Sequence, residues 1–193
     1  SVFGEGHDPD ASQITDGLGE RWEVERIAIK PYAAMGALHA PLDAIFAIRA
    51  RRPLDPVAIA SVDISMSHAG YHHGWWEAER PLTPIGAQMH VGYALAAAIV
   101  DGAAMVRQFT PKRIDADDLW ALIPKIRAHH EPAYDESKMT RGAAKVVVRF
   151  TDGSSETEEV PLARTIAAPL PRANVIEKFH VLTNGLMERS RAE

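Results

Sequence analysis

The chain has 193 residues, 46% apolar and 24% charged, enough for one or two compact domains with a real core and too apolar for general disorder. Its 21 Lys and Arg against 26 Asp and Glu leave a net charge of −5, which argues against a nucleic-acid partner, because such a footprint needs a positive surface to displace counterions from phosphate. No cysteine is present, so disulfides, thiolate zinc sites, iron–sulfur clusters and a Cys nucleophile are excluded, and a reducing cytoplasm is permitted.

Residues 1–19 read as a connecting segment, with Gly4, Gly6, Gly17 and Gly19 among Asp8, Asp10 and Asp16 and no periodicity. They carry neither the basic start nor the apolar stretch of a secretory signal, so a cytoplasmic location is expected. The missing initiator Met suggests a processed chain or a piece of something longer. Trp22 and Val24 alternate with Glu23 and Glu25, and Ile27 and Ile29 resume in the opposite phase. That pattern predicts a bulged first strand ended by Pro31, with Lys30 at its tip.

Leu38, Leu42, Ile45 and Phe46 form an apolar stripe, with Arg49, Arg51 and Arg52 at the end where cations complement the dipole, predicting a helix. Val62, Ile64 and Met66 alternate with Asp63 and Ser65 as a half-buried strand does. His68, Tyr71, His72, His73, Trp75 and Trp76 follow in what reads as a long loop. The histidine spacing matches neither a His-Glu-x-x-His helix nor a Cys/His finger, so no metal is expected, and the aromatics lean the loop toward an interface.

Residues 87–100 (AQMHVGYALAAAIV) predict one buried helix stopped by Asp101-Gly102, too short and weak to span a bilayer. Asp115 reads as the N-cap of a helix through Leu119, Leu122, Ile123 and Ile126, kinked at Pro124. Lys145–Phe150 and Glu156–Val160 flank Asp152-Gly153 as a hairpin with an acidic, exposed edge strand. After Pro169 and Pro171, Asn174 and Glu177 predict a capped helix with the stripe Phe179, Leu182, Leu186. The expected organisation is a connecting segment over 1–19, an α+β domain over 20–170 with antiparallel strands and a hairpin packed with helices, and a terminal helix over 171–193.

There is no phosphate loop, dinucleotide glycine turn or Gly-x-Ser-x-Gly elbow, so nucleotide hydrolysis, hydride transfer and serine hydrolysis lose their usual support. Lys30, locked by Pro31, can present three donors to an anion. On spacing alone, an ordinary surface lysine fits as well. Tyr93 reads as a core tyrosine needing a hydroxyl partner, and His39 as a packing residue at a helix start.

Several segments together resemble the MmgE/PrpD family, which includes 2-methylcitrate dehydratase, cis-aconitate decarboxylase and iminodisuccinate epimerase. They are 23–50 (EVERIAIKPYAAMGALHAPLDAIFAIRA, with Lys-Pro-Tyr and His39-x-x-x-Asp43), 87–102 (AQMHVGYALAAAIVDG), the 146–153 hairpin and Glu177-Lys178-Phe179. The resemblance implies the smaller α+β domain of a longer two-domain protein, whose active site lies between domains. Its main acid/base Asp and His would come from an N-terminal helical domain, with no metal or organic cofactor. It carries over Lys30 and Tyr93 as site residues, with His39 as a further candidate, and a small polycarboxylate as substrate. A lyase, dehydratase or decarboxylase, is the leading expectation, with the 2-methylcitrate dehydratase of propionate metabolism as its type; epimerisation and a non-catalytic interaction module are the alternatives. The helical domain would cover the terminal helix, a homo-oligomer is expected, and no membrane contact is implied. Ala33, His90 and Gly92 stand where the family usually has Pro, Ser and Pro.

Overall fold

The computed structural model describes residues 10–22, 24, 27–136, 142–164 and 169–187. A 3₁₀ turn at Gly36–Leu38 leads into α1 (His39–Arg51), which buries Leu42, Ile45 and Ile48. The arginines at its end do more than complement the dipole. Arg49 donates to the Ile99 carbonyl at 2.7 Å, and Arg51 reaches Glu158 at 2.5 Å.

Strand β1 (Ile59–Met66) alternates as expected, with Ile59, Val62, Ile64 and Met66 buried. Residues 68–74, expected as loop, form a short helix, α2 (His68–Gly74), because Ser67 accepts the Gly70 amide at 3.3 Å and caps it. The single helix expected over 87–100 is two: α3 (Pro84–Met89), capped by Thr83, and α4 (Val91–Asp101). The chain breaks at His90, whose extended backbone makes it the cap of α4. Gly102 closes α4 at φ 67°, where the lack of a Cβ permits the left-handed turn.

Asp115 caps no following helix. It ends α5 (Pro111–Ile114), and α6 (Asp117–Leu122) starts after Ala116. Pro124 stops the helix rather than kinking it: a 3₁₀ turn at Ile123–Lys125 follows, and Ile126 opens strand β2 (Ile126–His130). The hairpin stands as read, with β3 (Ala144–Phe150), β4 (Ser155–Val160) and Gly153 at φ 85° in the turn. The last helix, α7 (Arg172–Thr183), begins earlier than its Asn174 signal, because the Pro171 carbonyl already accepts the Asn174 amide at 2.9 Å.

The sheet order is β2–β1–β3–β4, with β1 parallel to β2 and the other pairs antiparallel. The α+β class therefore holds with a mixed sheet. Helix α1 packs over β3 and β4, while α4 lies against α1, α6 and β2. The alternate residues face outward and carry charge, as where Asp63 meets Arg149 and His129. The bulged strand expected at 22–29 is absent from the described residues there: they join no sheet, and Trp22, Val24, Ile27 and Ile29 are exposed. Alternation supplies a pleated face but not a partner edge, and here none is met; Glu23 and Glu25 lie outside the described residues. No helix among the described residues is long and apolar enough to cross a membrane.

His90 is fully buried. Its Nδ1 accepts the Tyr93 amide at 3.0 Å, so Nε2 carries the proton and donates to the Trp76 carbonyl at 2.9 Å. Trp75 and Trp76 flank this ring at centroid distances of 5.3 and 4.7 Å. A Cβ on Gly92 would sit 2.8 Å from His90 Cε1 and 3.1 Å from Trp75 Cζ3. Gly92→Ala, which gains ~1 kcal/mol in an unhindered helix, should here lose about 1–2 kcal/mol through overpacking. Thermal unfolding followed by circular dichroism should show a Tm lower by several degrees.

Burial holds the His90 imidazole below its ordinary pKa, so the folded state favours the neutral ring. Between about pH 6.5 and that lower value the unfolded chain binds the extra proton, so stability rises with pH. The contribution is complete above about pH 6.5 and is lost as pH falls. Replacing His90 with Asn, which can still cap, should flatten the dependence of Tm on pH between 5 and 7, leaving the share due to His39, whose pKa is also lowered by burial.

Candidate active site

Residues 30–35 form no strand, yet they are fixed by the chain around them. The Ala33 amide donates to the Ala104 carbonyl and the Met35 amide to the Gln88 carbonyl, each at 2.9 Å. This segment is stitched to α3 on one side and to the exit of α4 on the other. Its Ala34 carbonyl then points at two of the expected site residues. Lys30 Nζ donates to it at 3.4 Å, and His39 Nε2 approaches it at 3.3 Å. A carbonyl only accepts, so Nε2 of His39 carries the proton.

His39 is buried at the start of α1, and its pKa is lowered by that burial and by the nearby Lys30 and Lys178 ammoniums, against the opposing pull of the Ala34 carbonyl and Asp43. It is a neutral donor near neutral pH. Lys30 is exposed, and lines a cleft of about 330 Å³ with Tyr32, Met35, Ile85, Gln88 and Met89.

Tyr93 lies elsewhere. It is fully buried in α4 beside Phe109, its hydroxyl donates to the Gln108 carbonyl, and burial pushes its pKa up to about 12. It does not line the Lys30 cleft. The structure thus brings Lys30 and His39 together and sets Tyr93 in the core.

Three residues without an assigned role in the sequence reading organise this corner. Tyr32 donates to Asp43 Oδ1 at 2.7 Å, stacks on Phe46 at 5.5 Å and meets the His39 ring edge-on at 5.4 Å. Arg164 gives Asp43 its backbone amide at 2.9 Å and Nε at 2.6 Å, and its Nη2 reaches the Tyr32 hydroxyl at 2.5 Å. Burial and the Asp43 carboxylate raise the Tyr32 pKa. Asp43 sits four residues after His39, on the same helical face, a spacing visible in the sequence; Arg164 offers no such signal. Beside this trio, Arg164, Asn174, Glu177 and Lys178 line a second cavity of about 240 Å³.

The histidines of α2 form a separate group, with His68 and His72 centroids 4.1 Å apart and His130 bonded to Asp135 at 2.6 Å. Among the described residues no three His, Asp or Glu come together in a way that could hold a metal ion.

Asp43 has a side chain only 5% exposed, whereas that of Arg164 is 55% exposed. Asp43→Ala strands the Tyr32 hydroxyl but lets Arg164 turn into water, so the expected loss is about 3 kcal/mol, the low end for breaking a buried pair. Chemical denaturation of the variant beside the parent protein measures it.

The model of the MmgE/PrpD C-terminal domain matches residues 32–193. The chain is 30% identical over 200 residues to a cis-aconitate decarboxylase of Aspergillus terreus (strain NIH 2624 / FGSC A1156), covering 98% of this chain and 41% of that protein. It is 29% identical over 187 residues to the cis-aconitate decarboxylase-like protein oryM of Aspergillus oryzae (strain ATCC 42149 / RIB 40), covering 94% of this chain and 39% of that protein. The chain therefore spans about two fifths of the length of these relatives. With most of its residues inside the family match, from the Tyr32 that anchors the Lys30 segment onward, the chain belongs to the MmgE/PrpD family through its C-terminal domain.

Proposed function

We propose that this chain is the C-terminal part of a lyase acting on a small di- or tricarboxylate, with decarboxylation of a cis-aconitate-like substrate favoured over dehydration of 2-methylcitrate. The observation that carries the reading is the convergence of Lys30 and a neutral His39 on the Ala34 carbonyl at the edge of a cleft. Similarity to cis-aconitate decarboxylases along nearly the whole chain favours decarboxylation.

When a carboxylate leaves as carbon dioxide, the electron pair of the breaking carbon–carbon bond passes into the remaining skeleton, and a proton is then taken up at carbon. Negative charge grows on a neighbouring carboxylate. A fixed ammonium beside that carboxylate lowers the barrier because it is already oriented when the charge appears. Lys30 fills this role, and His39 positions it by holding the carbonyl against which the lysine rests. Tyr93 serves the substrate only by exchanging the Gln108 carbonyl for a substrate oxygen. In this reading the acid/base groups belong to an N-terminal helical part of the whole protein, which would cover Ile176, Phe179 and Leu182 of α7, exposed here. The isolated chain is accordingly inactive in this reading.

Assays of the full-length protein with cis-aconitate, 2-methylcitrate, citrate and iminodisuccinate test it. Carbon dioxide release from cis-aconitate supports it; water loss from 2-methylcitrate would replace decarboxylase by dehydratase; no turnover of any of the four would leave an interaction module. In the active protein, Lys30→Ala should lower kcat/KM about tenfold or more, through a fall in kcat as well as a rise in KM, the loss of one charge-assisted hydrogen bond of ~1.5–3 kcal/mol that strengthens as charge develops. Tyr93→Phe leaves a carbonyl unpaired and should lower Tm; a fall in kcat as well would place the hydroxyl in the reaction. Kinetics and thermal unfolding measured on the same two variants separate these roles.

A further inference from the structure

Lys178 lies on α7, within the run Glu177-Lys178-Phe179. Its Nζ donates to the Lys30 carbonyl at 2.5 Å. Helix α7 buries no side chain, and is tied to the body through this bond and through Arg107 on the Asn184 carbonyl. The two lysines thus meet at one residue, Lys30 by its side chain and Lys178 by contact with the backbone. Neither ammonium pairs with a carboxylate among the described residues; each rests on a backbone carbonyl. An ammonium has three donors, so each keeps two for a ligand.

Asp43 is engaged by Arg164 and Tyr32. Glu177 lines the same cavity as Lys178 and is exposed. His39 lies close enough to feel both ammoniums and is neutral. The cavity of Lys178 and the cleft of Lys30 have Tyr32 as a common wall.

We propose that Lys178 is a second cationic subsite, holding a different carboxylate of the substrate from the one held by Lys30, so that the site selects small anions with at least two carboxylates. This rests on the polycarboxylate reading above and deepens it: α7 becomes a wall of the binding site. Two ammoniums resting on the Lys30 and Ala34 carbonyls of one short segment suit a small carbon skeleton with more than one carboxylate. A monocarboxylate can satisfy only one of them.

The full-length protein is titrated calorimetrically with tricarballylate, a saturated tricarboxylate, in the wild type, Lys178→Gln and Lys178→Arg. Gln keeps a donor for the Lys30 carbonyl and removes the charge, and thermal unfolding checks that the fold is retained. The expected result is a Kd about tenfold weaker for Lys178→Gln, the cost of one charge-assisted contact, with most of the affinity restored in Lys178→Arg. A Lys178→Gln affinity equal to that of the wild type overturns the proposal, even if the wild type turns over a polycarboxylate, in which case the lyase reading stands without Lys178. Equal weakening in Lys178→Gln and Lys178→Arg also overturns it, by pointing to helix placement rather than charge. A wild type that neither binds tricarballylate nor turns over any polycarboxylate removes both readings.

Discussion

A carboxylate on the inner face of a helix is costly unless its oxygens are filled by donors, and Asp43 meets that demand by drawing three parts of the chain together. It takes the Tyr32 hydroxyl from the segment before α1, and the backbone amide and guanidinium of Arg164 from the connector after β4. The rest of this corner follows from that requirement. Tyr32 is pinned between Asp43 and Phe46, so Lys30, two residues earlier, has little freedom at its backbone. The four-residue spacing along α1 sets His39 beside the same tyrosine. The segment needs no sheet to hold it, since its remaining amides reach Ala104 and Gln88.

The junction of α3 and α4 obeys a similar logic of substitution. Where the family resemblance leads one to expect Ser, His90 supplies an acceptor to the same helix start and adds a donor for the Trp76 carbonyl. A ring is larger than a hydroxymethyl group, and the space comes from the missing Cβ at Gly92. The two departures are therefore coupled. They leave Tyr93 where the pattern puts it, because the amide that His90 caps is that of Tyr93. The His90 ring in turn meets the Trp75 and Trp76 rings in front of the junction.

Much of the architecture was legible because its signals are local. Alternation marked β1 and β3, the apolar stripe marked α1, and Asp152-Gly153 marked the hairpin. The failures share a physical cause. Residues 22–29 alternate as a strand does, but a strand also needs an edge, and pairing is non-local. Ile123 and Ile126 fit a helical stripe equally well, and only the parallel partner β1 decides that Ile126 opens a strand. At the site, Lys30 and His39 could be named from a motif, and Asp43 stood in it without a role. Arg164 could not be named: it is a lone arginine 121 residues from its partner, in a connector with no periodicity. Lys178 sits on a helix whose exposed side chains give no hint of which neighbour they face.

The electrostatics of the corner differ from those of the chain as a whole. A net charge of −5 repels a polyanion at long range, yet association and binding answer to the local field, which falls off within roughly 8–10 Å at physiological salt. Lys30 and Lys178 both act on His39 and shift its titration downward, while the carboxylate that opposes them, Asp43, is already engaged by Arg164. Burial and both ammoniums disfavour a third positive charge on the imidazole. A bound carboxylate would weaken that bias without removing it, because an anion beside the lysines offsets their repulsion while the larger effect of burial stays, so the ring becomes easier to protonate when the site is filled than when it is empty. Ligand and proton are then linked through the same residues that fix the geometry, with the Ala34 carbonyl as the shared contact between the histidine and the lysine.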